Sequence, residues 1–180
     1  MDTDFEIWRI LFAVGVLLTA IGVGVLGAIL AIVGVYYLAR AYGREGAFRP
    51  LLIGFVIVII ESIVGIYLLL FGGMLAVTGI ATALNGGLLV FLVSLIPLGI
   101  WWVLNIVAAY FIRSGLQALS EASGERKLAE GARWIWIGAL TAIVLVGLIF
   151  RLIGYIFVAL GAFDMKKPAP SPAQQGPSSG

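Results

Sequence analysis

The chain contains no histidine and no cysteine. Without imidazole or thiolate it can hold no thiolate or imidazole zinc site, no histidine-ligated haem and no iron-sulfur cluster, and it can form no cysteine or serine-histidine nucleophile. Disulfides are excluded as well, so cysteine usage says nothing about redox compartment. Aspartate occurs only as Asp2, Asp4 and Asp164, all outside the apolar runs, which excludes an intramembrane protease built on two aspartates. A Walker-type phosphate loop is missing too, because the glycines sit inside hydrophobic runs with no lysine at the required spacing. Charged residues make up only 11% of the chain, where a soluble domain carries roughly 25%. The net charge of +2 is small and dispersed, which argues against a nucleic-acid partner. Neither a metal nor a cofactor is expected.

What remains is overwhelmingly apolar, with 62% hydrophobic residues and a mean hydropathy of +1.16. Long apolar runs stand out at about 10–38, 51–70, 88–111 and 134–163. Each reaches the ~20 residues that a helix needs to cross a hydrocarbon core of about 30 Å. As single helices the first and fourth would measure about 43 to 45 Å, so single crossings there must tilt or project past the headgroups. The fold expected is an all-α, polytopic transmembrane four-helix bundle over residues 10–163, lodged in the lipid bilayer. It follows a short acidic segment, residues 1–9. Because that leader is acidic and the run after it is long, it does not read as a cleavable signal peptide. Residues 164–180, rich in Pro, Ser, Gln and Gly, read as a disordered tail.

Positive charge orients such a bundle. Arg40, Arg44 and Arg49 lie between the first and second runs, and Arg113, Arg126, Lys127 and Arg133 between the third and fourth. With four crossings, Arg9, Lys166 and Lys167 fall on the opposite side. The positive-inside rule then makes the two charged loops cytoplasmic and both termini external, in a multi-pass protein of the cell membrane. Residues 74–85 are uncharged and bracketed by Gly72-Gly73 and Gly86-Gly87. They read either as a re-entrant piece or as extensions of the second and third spans.

The two charged loops resemble each other. Leu38-Ala39-Arg40-Ala41-Tyr42-Gly43-Arg44-Glu45 lines up with Leu119-Ser120-Glu121-Ala122-Ser123-Gly124-Glu125-Arg126. Each places a glycine suited to a left-handed helix C-cap ahead of a charged pair that starts the next helix. Two repeated helical hairpins follow from this match. Through Leu38 to Phe48, with Tyr42-Gly43-Arg44-Glu45, and Ser114 to Lys127, with Ser123-Gly124-Glu125-Arg126-Lys127, the chain resembles an archaeal family of small four-span membrane proteins classed as a domain of unknown function. That resemblance covers most of the chain up to about Phe163. It implies a fold and an archaeal origin, and it brings no activity, cofactor or catalytic residue.

Two ionisable residues lie within the apolar runs. Glu61 stands about ten residues, or 15 Å, from Leu51. It shares a helical face with Gly54, Val58 and Gly65, so it should face protein rather than lipid. An intramembrane carboxyl group is a functional-site hypothesis by default. It reads either as an ion- or proton-binding group with Asn105 as partner, or as a packing group held by hydrogen bonds. Arg151 shares a face with Gly147, Gly154 and Gly161. With the fourth run as one crossing, Arg151 lies roughly 10 Å above Glu61; it reads first as snorkelling to the outer headgroups, and second as an ion pair with Glu61 that needs a vertical offset between the helices or Arg151 reaching inward.

The other signals concern packing. Ala20, Gly24, Gly27, Ala31 and Gly34 form a small-residue stripe suited to close contact inside the bundle or across a dimer. Gly54, Gly65, Gly147 and Gly154 extend the same theme, and Pro97 predicts a kink in the third span. The functional expectation is a non-catalytic protein, not an enzyme, working as a packing element, scaffold or accessory subunit, with a homodimer or a larger membrane complex as setting. The alternative is a small proton- or cation-coupled transporter or channel using Glu61.

Overall fold

The fold comes from a computed structural model that describes residues 2–68, 95–142 and 146–168, with isolated positions between 70 and 93. Among these the chain is all-helical, with six helices: α1 (Asp2–Ala20), α2 (Gly24–Ala41), α3 (Glu45–Tyr67), α4 (Ile96–Ser123), α5 (Arg126–Leu140) and α6 (Val146–Asp164). Four of them, α2, α3, α4 and α6, are long and apolar enough to cross a membrane. The segment 74–85 and the tail beyond Pro168 lie outside the described residues, apart from single positions in the former.

The first apolar run is two helices. The chain stops at Ala20, turns through Ile21-Gly22-Val23 with Gly22 at φ 93°, and returns as α2. The left-handed backbone at Gly22 is one that a β-carbon would strain. Small residues then let the two helices meet backbone to backbone. A methyl group on Gly15 would lie 2.7 Å from the Gly27 carbonyl, and one on Gly34 would lie 2.8 Å from Phe12 Cα. Gly15 opposite Ala31 and Gly34 opposite Phe12 set an antiparallel register. Of the predicted stripe, Gly27, Ala31 and Gly34 are therefore taken up by α1, while Gly24 faces Ser62 of α3.

The fourth run is also two helices, α5 and α6, joined by a reversal after Ala142. Gly138 packs on Arg151, Gly131 and Ile135 on Gly154, and Leu128 on Gly161. Between the hairpins, α3 and α4 run antiparallel, with Gly54 against Ile112 and Gly115 against Leu51. In lipid such contacts gain no hydrophobic free energy over the unpacked helices, so van der Waals fit at close approach holds the bundle. The core is accordingly a mixture of small and large side chains, Ala28, Ala31 and Ala132 with Phe12, Phe55, Ile112 and Ile135. Pro97 falls in the first turn of α4, where its missing N–H leaves no helical hydrogen bond unmade.

The two breaks bring the termini to the same end of the bundle as the charged turns, whereas the reading with four crossings separates them. Each hairpin brings the chain back to the end where it started. The N-terminus, the α2–α3 turn, the α4–α5 turn and the end of α6 therefore share one end of the bundle. Direct contacts confirm it. Arg9 Nη1 donates to the Met165 carbonyl at 3.0 Å, the Tyr42 hydroxyl to the Lys166 carbonyl, and Lys127 pairs with Asp164. Placing the termini opposite the charged loops rested on single crossings of about 45 Å, and that geometry does not occur. The two turn glycines do adopt the expected left-handed conformation, Gly43 at φ 62° and Gly124 at φ 74°.

Candidate functional site

Glu61 lies on the face of α3 that also buries Leu51, Gly54 and Val58. The α3–α4 register carries it to Asn105: the pair Gly54 and Ile112 moves on by two turns on each helix to Glu61 and Asn105. Asn105 Nδ2 donates to Glu61 Oε1 at 2.8 Å. Glu61 is 4% exposed and Asn105 1% exposed; with Thr19 they are the buried polar residues among those described. The partnership expected from depth alone is therefore present in the structure.

Arg151 completes the site. Its Nη1 donates to Glu61 Oε1 at 2.7 Å and its Nη2 to Glu61 Oε2 at 3.2 Å, a two-pronged contact that fits planar guanidinium to planar carboxylate. Nε and Nη2 also donate to the Tyr155 hydroxyl oxygen at 3.3 and 3.2 Å. The guanidinium carbon sits 5.5 Å from the centre of the Tyr155 ring. The expected snorkelling of Arg151 to headgroups does not occur. Because α6 runs back from the reversal after Ala142, Arg151 returns to the level of Gly138 instead of climbing to an outer leaflet. Glu61 thus accepts three hydrogen bonds from two other helices, and α3, α4 and α6 are tied at one point.

The tie borders a cavity of about 1020 Å³. Its walls come from the α1–α2 turn, α3, the first turns of α4, and α6; Thr19, Glu61, Ser62, Trp101, Arg151 and Tyr155 are the polar or amphipathic groups on them. Ile21, Leu26, Ile66 and Ile149 line its edge and are exposed. The volume is at the upper end of the range for small-molecule sites, about 300–1,000 Å³. Sequence reasoning missed this cavity because it exists only where the hairpin turn at Ile21-Gly22-Val23 stops short of the longer α3 and α4.

Of the glycines expected to pack, Gly24, Gly27, Gly34, Gly54, Gly147 and Gly154 are buried against other residues. Gly65 is half-buried beside Trp101, whose Nε1 would lie 3.5 Å from an added methyl. At the charged end, burial raises the Tyr42 hydroxyl above its ordinary pKa, with Arg9 opposing the shift. The hydrogen bond to Asp164 raises Lys127.

Helices long enough to span a bilayer, packed as antiparallel neighbours and carrying a neutralised charge pair, define the class: α-helical membrane proteins built from packed hairpins. The chain belongs to the family described as "Protein of unknown function (DUF996)", which matches residues 23–156, from the α1–α2 turn into α6. The expected membership of an uncharacterised family is met at that level. No curated protein matches the chain, and no solved structure does.

Proposed function

We propose that this protein is a non-catalytic membrane component, a scaffold or accessory subunit that acts through its packed helices. The observation that carries the reading is the pairing of Glu61 with Arg151. Its two intramembrane charges are spent on each other, and Asn105 adds a third bond to the same carboxylate. A carboxylate held this way ties helices together and has no charge left for a cation. Reconstitution in proteoliposomes tests it: neither wild type nor Glu61→Gln should carry proton or cation flux above empty vesicles. Flux in wild type that vanishes in Glu61→Gln would sink the proposal.

One observation favours transport as a second reading. The cavity reaches Glu61, and Asn105 Oδ1 beside it is buried without a hydrogen-bond partner among the described residues. A cation entering there would need Arg151 to swing away, and the same flux measurement separates the two readings.

The charged end supports a cytoplasmic orientation for both termini. Every charged residue except Glu61 and Arg151 lies within about ten residues of that end, so positive-inside asymmetry acts on one face. The two similar glycine turns support descent from a duplicated helix-turn-helix unit.

A further inference from the structure

We propose that the cavity beside the Glu61–Arg151 pair is a binding site for an uncharged amphipathic molecule of the membrane, one with an apolar body and a carbonyl-type hydrogen-bond acceptor.

Three features of the cavity define that chemistry. First, its edge is apolar and exposed through Ile21, Leu26, Ile66 and Ile149, so it opens onto the lipid-facing surface and admits a molecule from the hydrocarbon phase. Second, the charges on its wall cancel. A charged head would have to break the two-pronged contact between Arg151 and Glu61 to find a counter-charge. Third, two donors on its wall lack acceptors among the described residues. The Tyr155 hydroxyl oxygen already accepts from Arg151, which leaves its own hydrogen undonated, and the indole N–H of the half-buried Trp101 has no hydrogen bond among the described residues. Tyr155 is 2% exposed, so bulk water does not serve it freely. Unmatched donors on an apolar wall, above all the buried Tyr155 hydroxyl, select a ligand with an acceptor oxygen, because leaving them unpaired is costly.

The occupant is thus recognised by shape, apolarity and one or two accepted hydrogen bonds. This goes beyond the scaffold reading and does not depend on it, since a packed scaffold can hold such a ligand or stand empty.

The test uses the full chain in detergent micelles after lipid removal. It is titrated with methyl dibromostearate, with the dibromostearate anion and dibromo-octadecane as comparisons, and one-to-one adducts are followed by native mass spectrometry. The methyl ester should saturate a single site. The hydrocarbon, without an acceptor, and the anion, without a counter-charge, should each bind about tenfold more weakly. Trp101→Phe should weaken the ester about fivefold and leave the hydrocarbon unchanged. Ile149→Trp, at an exposed edge position, should remove the adduct while the melting temperature stays close to wild type. Equal binding of all three probes, tighter binding of the anion, or an ester affinity indifferent to both substitutions would overturn the proposal. Absence of any one-to-one ester adduct on folded wild-type protein would do the same. Neither result bears on flux, so failure here is distinguishable from failure of the scaffold reading.

Discussion

Removing one partner of the Glu61–Arg151 pair should cost far more than removing both. The side chains are 6% and 15% exposed, so water screens the pair little. Truncation of a single partner from a buried pair typically costs 3–5 kcal/mol, because a buried charge is left uncompensated. Polar contacts within membranes measure lower than in water, since alternative partners exist in the unfolded helices, so the lower end, about 3 kcal/mol, is expected here. At 2–4 °C per kcal/mol for a chain of this size, Glu61→Leu and Arg151→Met should each melt about 6–12 °C below wild type. The double variant replaces both charges with apolar groups of similar volume and should lie within about 1 kcal/mol of wild type. Thermal melts followed by tryptophan fluorescence in one detergent give the double-mutant cycle directly. Additive losses in the double variant would show that the two residues act independently, and the clamp would be refuted.

The remaining predictions probe packing, topology and the charged end. Gly34→Leu should cost about 1–3 kcal/mol or more, since even a methyl would meet Phe12 Cα at 2.8 Å, whereas Gly46→Ala, with nothing within 4 Å, should be neutral or stabilise by up to about 1 kcal/mol. A reversed order of melting temperatures would contradict the α1–α2 register. Single cysteines placed at Asp4 and at Glu45 in this cysteine-free chain should react with an impermeant maleimide from the same side of a sealed vesicle, and labelling from opposite sides would contradict the hairpins. Burial raises the Tyr42 pKa from 10.0, so its contribution is fully present below about pH 10 and lost as pH rises through the higher folded value. The melting-temperature difference between wild type and Tyr42→Phe should therefore shrink in alkali; a difference that grew there would reverse the sign of the linkage. Lys127, raised from 10.5 by its bond to Asp164, should release that contact in the same direction.

The class of fold was legible because hydrophobic runs and scarce charge leave a chain few other solutions. Glu61 and Asn105 were legible as partners because helix periodicity and depth are enough to match two residues on adjacent antiparallel spans. Arg151 was misplaced because its depth was measured along one continuous helix from Trp134. The excess length of the first and fourth runs was the signal for a break, and tilt was the wrong way to absorb it. For the first run, the Gly22 turn could have been recognised from Ile21-Gly22-Val23-Gly24. For the fourth, α5 ends at Leu140 and α6 begins at Val146, and the sequence between them, Thr141-Ala142-Ile143-Val144-Leu145, has no glycine, proline or charge to announce a break. Only the packing of Gly138 on Arg151 and Gly131 on Val158 requires the chain to double back there.

That reversal also changes what must cross the membrane. With the hairpins closed, the turns at Ile21-Gly22-Val23 and after Ala142 carry no charged side chain, and neither does the sequence from Ser62 to Ile112. Inserting this fold from the charged end moves only two charged residues, Glu61 and Arg151, to depth, and every other Asp, Glu, Lys and Arg can stay within reach of one interface. Lone charges at the bilayer centre cost roughly 2.5–3.5 kcal/mol each even on the lenient insertion scales. Residues 61 and 151 are too far apart in sequence to enter together, so each bears that cost until α6, packed on α5 and α1, brings Arg151 to Glu61. The pair is therefore a long-range tertiary contact, between residues 90 apart in sequence. Its formation couples closure of the α5–α6 hairpin to the rest of the bundle, in a chain whose other interfaces are mostly close-packed alanine and glycine.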